Sequence, residues 1–176
     1  KSNSEVMKSL VKEIKSVQSK NFVAAARGTS DHALVYFKYV LEVNSEYTVG
    51  LSAPSVVTLY KGKINYSNSI VIGCSQSGEA ADVLEIIRRG NEQGAITIAV
   101  TNNDNSPIAK EAKFHLYCNA GIENSVAATK TFSAELYLLL WLAAEISSNK
   151  EQLLYLINLK REIEKVIPRI DALTTK

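Results

Sequence analysis

The stretch from Ile70 to Asp82 constrains the fold more than any other. Ile70-Val71-Ile72-Gly73-Cys74 is apolar and β-branched, and Ser75-Gln76-Ser77-Gly78 breaks it. Helical spacing then sets in at Val83, Ile86 and Ile87. This order predicts a strand, a tight polar loop and a helix start. A helix start exposes N–H groups without intrahelical partners, and its dipole favours negative charge. Ser75 and Ser77 add hydroxyl donors, so the loop suits an anion, with a phosphate ester the best fit.

The same grammar recurs along the chain. Asn21 to Ala26 is a short apolar run, followed by Arg27-Gly28-Thr29-Ser30-Asp31-His32 and then by Ala33, Leu34, Phe37, Val40 and Leu41 at helical spacing. Tyr47–Leu51, Ala95–Thr101 and Phe114–Cys118 read as further strands, and Val56–Tyr60 fits a strand or a short helix. Pro107 suits the first turn of a helix through Lys113. A third polar loop, Asn119 to Asn124, leads into a long apolar helix that Asn124 or Ser125 can cap and that runs to about Ile146. Alternating strands and helices imply an α/β fold, a three-layer αβα sandwich with a central parallel sheet of about five strands. Loops after strands gather at one sheet edge, so those at Gly28, Ser75 and Gly121 are expected to converge.

The ends are helical. Val6, Leu10, Ile14 and Val17 form an amphipathic stripe. Leu156, Leu159, Ile163, Val166, Ile170 and Leu173 form a heptad-like seam, interrupted by Pro168, where a kink or restart is expected. That seam makes a homodimer a reasonable expectation.

Composition excludes several classes. A net charge of +2 gives no sign of nucleic-acid or anionic-membrane binding. The most apolar run, Leu136–Ala144, is too short to span a bilayer. Two cysteines, Cys74 and Cys118, make neither a disulfide framework nor a metal-ligand spacing, which fits a reducing, cytoplasmic setting without metal or cofactor.

Three readings of the central loop compete. One is a plain helix cap, which needs only one hydroxyl. The second is a nucleophile elbow: Gly73-Cys74-Ser75-Gln76-Ser77 meets G-x-S-x-G except at the last glycine, with Asp104 and His115 as possible partners. The third is phosphate capture without covalent chemistry, which uses both serines and the glycine. Neither G-x-G-x-x-G nor G-x-x-x-x-G-K-[ST] occurs, which disfavours dinucleotides and nucleoside triphosphates.

Ser75-Gln76-Ser77-Gly78-Glu79 with Asp82 resembles the sugar-phosphate loop of the SIS (sugar isomerase) family. Gly28-Thr29-Ser30 resembles that family's first loop, and Val126-Ala127-Ala128-Thr129-Lys130-Thr131-Phe132 its Val-Ala-Ser-Thr-Lys-x-Phe motif. The likeness covers nearly all of the chain after Asn21. It extends to the N-terminal isomerase half of glucosamine-6-phosphate synthase and, through Ala26–His32 and Ala53–Val56, to deaminase-type and Amadori deglycase members. The resemblance implies that Ser75, Gln76, Ser77 and Gly78 hold phosphate and that Gly28, Thr29 and Ser30 meet phosphate or sugar. It implies that Val126 and Ala128 line the sugar, with Lys130 a possible anion contact. Ala80 and Ala128 stand where the synthase pattern has Thr and Ser, removing two polar contacts.

The resemblance also implies aldose–ketose type chemistry on a hexose 6-phosphate, with the main catalytic groups in a second SIS half. This chain is then one SIS domain with flanking helices, the first half of a tandem protein, incomplete for catalysis alone. Glu135 and His32 are the weak catalytic candidates within it, Glu135 being read chiefly as a solvated or helix-edge carboxylate. Glu79 sits in a first helical turn, where the dipole alone favours an acid, and Glu123 lies in the third loop. A sugar-phosphate sensor domain of a transcription regulator and a non-catalytic assembly module are the alternatives.

Overall fold

Five parallel strands in the order β2-β1-β3-β4-β5 form the centre of the computed structural model. It describes residues 2–124 and 128–174, with the side chains of residues 160 and 167–174 outside that description. In chain order the elements are α1 (Asn3–Ser16), β1 (Asn21–Ala26), α2 (Thr29–Asn44), β2 (Thr48–Leu51), α3 (Pro54–Thr58) and β3 (Ile70–Ser75). They continue with α4 (Ala81–Glu92), β4 (Ile96–Thr101), α5 (Pro107–Glu111), β5 (Phe114–Tyr117), α6 (Lys130–Ser147) and α7 (Lys150–Thr174).

Strands β3 and β4 are buried at every residue, as continuous apolar runs in a covered parallel sheet should be. Their alternation divides the core. Ile70, Ile72, Cys74, Ile96, Ile98 and Val100 face one core with residues of α1, α2 and α6. Val71 and Ala99 face the other with Val83, Ile86 and Ile87 of α4 and Ile108 of α5. These are the two helical layers of an αβα sandwich. Gly73 permits the close approach of α4: a Cβ there would lie 2.9 Å from Val83 Cγ1.

The structure decides three local points. Of the two options for Val56–Tyr60, the short helix holds for Val56–Thr58 within α3, because Pro54 at its first turn fixes φ for a helix start, and Leu59 and Tyr60 follow it. Helix α6 begins at Lys130, so Asn124 does not cap it, and Ser125 lies outside the described residues. Helix α7 runs unbroken through Pro168 instead of restarting there. Of its heptad-like seam, Leu156 is buried on this domain, while Ile163 and Val166 are about half exposed.

Candidate functional site

The sheet order places the topological switch between β1 and β3, whose carboxyl ends open a crevice. A cavity of about 480 Å3 lies there, lined by the loop after β1 (Arg27, Gly28, Thr29 and Ser30), the loop after β3 (Ser75, Gln76, Ser77, Glu79 and Ala80) and Ala128. A neighbouring cavity of about 380 Å3 adds Gln76 and Ser77 to Asn102, Asn103, Tyr117 and the Gly121–Glu123 loop. The loops after β1, β3 and β5 thus meet at one edge of the sheet. Asn102 ties two of them together: its N–H donates to the Gln76 carbonyl (3.0 Å), and its side chain donates to Gly121 O (2.7 Å) and accepts from Ala120 N (2.8 Å).

Neither serine of the central loop caps α4. The N-cap is Ala80, which has no side-chain hydrogen bond. Instead the Gly78 N–H donates to Ser75 Oγ (3.2 Å) and the Glu79 N–H to Ser77 Oγ (3.3 Å), closing the loop on itself. Gly78 has φ +68°, and a Cβ there would fall 2.0 Å from Ser106 Oγ. It shapes the loop from below and does not line the cavity. With the two hydroxyls already accepting, their own protons have no acceptor among the described residues and can point at a ligand. The first-turn N–H groups of α2 add donors from the opposite wall. Such a set of donors is suited to an oxyanion.

The nucleophile-elbow partners are not assembled. His115 Nε2 lies 2.8 Å from Thr101 Oγ1, and burial lowers its pKa. It lines a separate cavity of about 370 Å3 with Asp104.

The other expected residues fall in different places. His32 is exposed on the first turn of α2 and does not line the main cavity. Lys130, also outside that lining, donates from Nζ to the Ile122 carbonyl at 2.5 Å. Val126 lies outside the described residues.

Glu135 corrects the reading of a solvated carboxylate. It has no exposed surface and accepts a 2.9 Å hydrogen bond from Ser30 Oγ. Its Oε2 makes no hydrogen bond among the described residues. Burial raises its pKa above the ordinary carboxylate range, opposed by Ser30 and by the Cys74 thiol beside it. It sits one residue behind the cavity wall, with Ser30 between.

Arg27 is the feature that the site-residue expectations omitted. Its Nη1 lies 3.3 Å from Asp82 Oδ2, linking the end of β1 to the first turn of α4. An arginine directly after a strand and before Gly-Thr-Ser was the available signal.

A parallel sheet with phosphate-type loops at its switch point defines an α/β ligand-binding domain. The SIS domain family matches residues 17–145, and the chain belongs to that family. It is 33% identical to the glutamine–fructose-6-phosphate aminotransferase (isomerizing) of Sulfurisphaera tokodaii, over 99% of this chain and 28% of that protein. A solved structure from Silicibacter pomeroyi DSS-3, assigned as a phosphosugar isomerase, superposes with a TM-score of 0.84 at 29% identity, over 89% of this chain and 48% of the other. The C-terminal domain of glucosamine-fructose-6-phosphate aminotransferase from Francisella tularensis gives 0.72 at 26% identity, over 90% and 44%. The chain thus spans about a quarter of the aminotransferase and about half of each solved relative.

Proposed function

We propose that this chain is the sugar-phosphate-binding domain of an amino-sugar-phosphate isomerase or deaminase, taking a hexose 6-phosphate. The observation that carries the reading is the cavity at the β1/β3 switch point, walled by Thr29, Ser30, Ser75 and Ser77 and by the N-terminal turn of α2. Ser75, Gln76 and Ser77 would grip the phosphate, Thr29 and Ser30 would meet phosphate or sugar, and Ala128 would lie against the sugar. The names of the aminotransferase and phosphosugar-isomerase relatives point to the same ligand class.

Moving a proton between adjacent sugar carbons needs a base beside the substrate. Among the described residues lining the cavity there is no His or Lys, and the one carboxylate is Glu79 in the turn before α4. This supports binding without turnover by the chain alone, with catalysis completed by a second SIS half. The half-exposed Ile163 and Val166 of the α7 seam are the surface on which a homodimer would form.

A thermal melt tests the reading. A ligand at one hundred times Kd stabilises by about 2.7 kcal/mol, so fructose 6-phosphate or glucosamine 6-phosphate should raise the midpoint. The combined Ser75→Ala and Ser77→Ala variant should lose that rise. A midpoint moved by neither sugar would overturn the binding reading, and turnover by the isolated chain would overturn the second half of it.

A further inference from the structure

Arg27 is the only Lys, Arg or His among the described residues lining the main cavity. It also lines the adjoining cavity of about 370 Å3 bounded by Leu51 to Ser55, so it stands at the junction of the two. Its side chain is 62% exposed, and its ion pair with Asp82, itself 24% exposed, reaches from one wall of the crevice to the other. Asp82 is further engaged from its other oxygen, Oδ1, which accepts the Val83 N–H at 2.9 Å. Asp82 is therefore tied to the helix start, and Arg27 is the longer and more exposed partner of the two.

Three physical considerations point the same way. An exposed ion pair is a weak hold, because water screens it and a long side chain must be ordered to make it. A phosphate monoester offers the guanidinium a doubly charged, fork-matched acceptor, which a single carboxylate contact does not. Finally, Glu79 and Asp82 place negative charge beside a cavity whose other donors are neutral hydroxyls and N–H groups. A cation offsets that negative charge for a phosphorylated ligand, and Arg27 supplies it.

We propose that Arg27 is the residue that selects phosphorylated over unphosphorylated sugar: Asp82 holds its guanidinium across the crevice, and the phosphoryl group draws it off onto its own oxygens. The inference rests on the sugar-phosphate reading of the cavity and adds the charge that the serine loop lacks. Asp82 becomes a competitor for Arg27, and its removal should favour the ligand.

Calorimetric titration of the full chain with fructose 6-phosphate, and with fructose as control, tests this on a double-mutant cycle. Arg27→Gln should weaken fructose 6-phosphate binding by about tenfold or more, the loss of one charge-assisted contact, and leave the fructose response unchanged. Arg27→Lys should fall between the two, because it keeps the charge without the fork. Asp82→Asn should tighten binding in the parent and do nothing in the Arg27→Gln background. If the parent binds and Arg27→Gln binds equally well, the proposal fails while the cavity reading stands. If Asp82→Asn tightens binding equally in both backgrounds, the gain is simple charge repulsion and the exchange is overturned. A parent that binds no fructose 6-phosphate removes the cavity reading and the proposal together.

Discussion

Ser30 Oγ donates a 2.9 Å hydrogen bond to Glu135 Oε1, joining the first turn of α2 to α6 directly behind the cavity. Ser30 is 4% exposed and Glu135 is fully buried. A buried carboxylate with one oxygen unpartnered costs stability when charged, and its raised pKa expresses that cost. In the native state Glu135 keeps its proton at pH values where the unfolded chain has lost it. Stability therefore falls as pH rises from the ordinary carboxylate range to the raised native pKa, and the loss is complete above it. Glu135→Gln, uncharged at all pH, should be more stable than the parent at pH 8, by the whole of the stability the parent loses over that rise in pH. That advantage should vanish below the ordinary carboxylate range. Urea melts of both proteins from pH 4 to pH 8 check it, and curves that stay parallel would refute it.

Gly78 cannot be replaced cheaply. Its φ of +68° disfavours any side chain, and a Cβ would collide with Ser106 Oγ at 2.0 Å. Ser106 cannot step aside without cost, since its hydroxyl donates to Asn103 O (2.7 Å) and accepts from Ala109 N as the cap of α5. Gly78→Ala should destabilise by about 2 kcal/mol or more, combining left-handed strain with the loss of a helix cap. Chemical denaturation gives the number. A variant within 0.5 kcal/mol of the parent, roughly the spread of neutral surface changes, would show that the loop can rearrange freely.

Much of this architecture is legible in the sequence because β3 and β4 are buried on both faces and read as unbroken apolar runs ending in polar loops. The bounds Asn21–Ala26 and the start of the central strand at Ile70 follow from that contrast. The start of α6 and the surroundings of Glu135 do not. Helix α6 is apolar nearly all round, so periodicity offers no polar face on which to place a carboxylate, and the partner that buries Glu135 lies 105 residues earlier. The role of Arg27 is hidden for a related reason: its partner Asp82 is brought near only by the pairing of β1 with β3.

Glu123 performs the capping that local reading assigned to its neighbours. Its Oε2 accepts from the backbone N–H groups of Thr129 (3.1 Å) and Thr131 (3.2 Å), while Thr129, the N-cap residue, makes no side-chain cap bond. A carboxylate there also complements the positive end of the helix dipole. Glu123→Ala should cost about 0.5–2 kcal/mol, the range for losing a helix cap. Hydrogen exchange should rise at the Thr129 and Thr131 amides, with the sheet amides unaffected. Unchanged protection at those two amides would contradict the assignment.

The two thiols should be silent in the folded protein. Cys74 is fully buried, and burial together with the Glu135 charge pushes its pKa well above the usual thiol value. Cys118, half-buried beyond β5, is raised by the same two causes. Thiolate is the reactive form, so both burial and the neighbouring carboxylate suppress reaction. With Ellman's reagent at pH 8, the native chain should show almost no fast-reacting thiol, and the denatured chain should show both. Glu135→Gln separates the causes: it removes the carboxylate and keeps the burial, so any gain in reactivity should appear at the more accessible Cys118 before Cys74. Rapid labelling of Cys74 in the folded parent would mean that the floor beneath the Ser75 loop opens readily, contrary to the packing described for it.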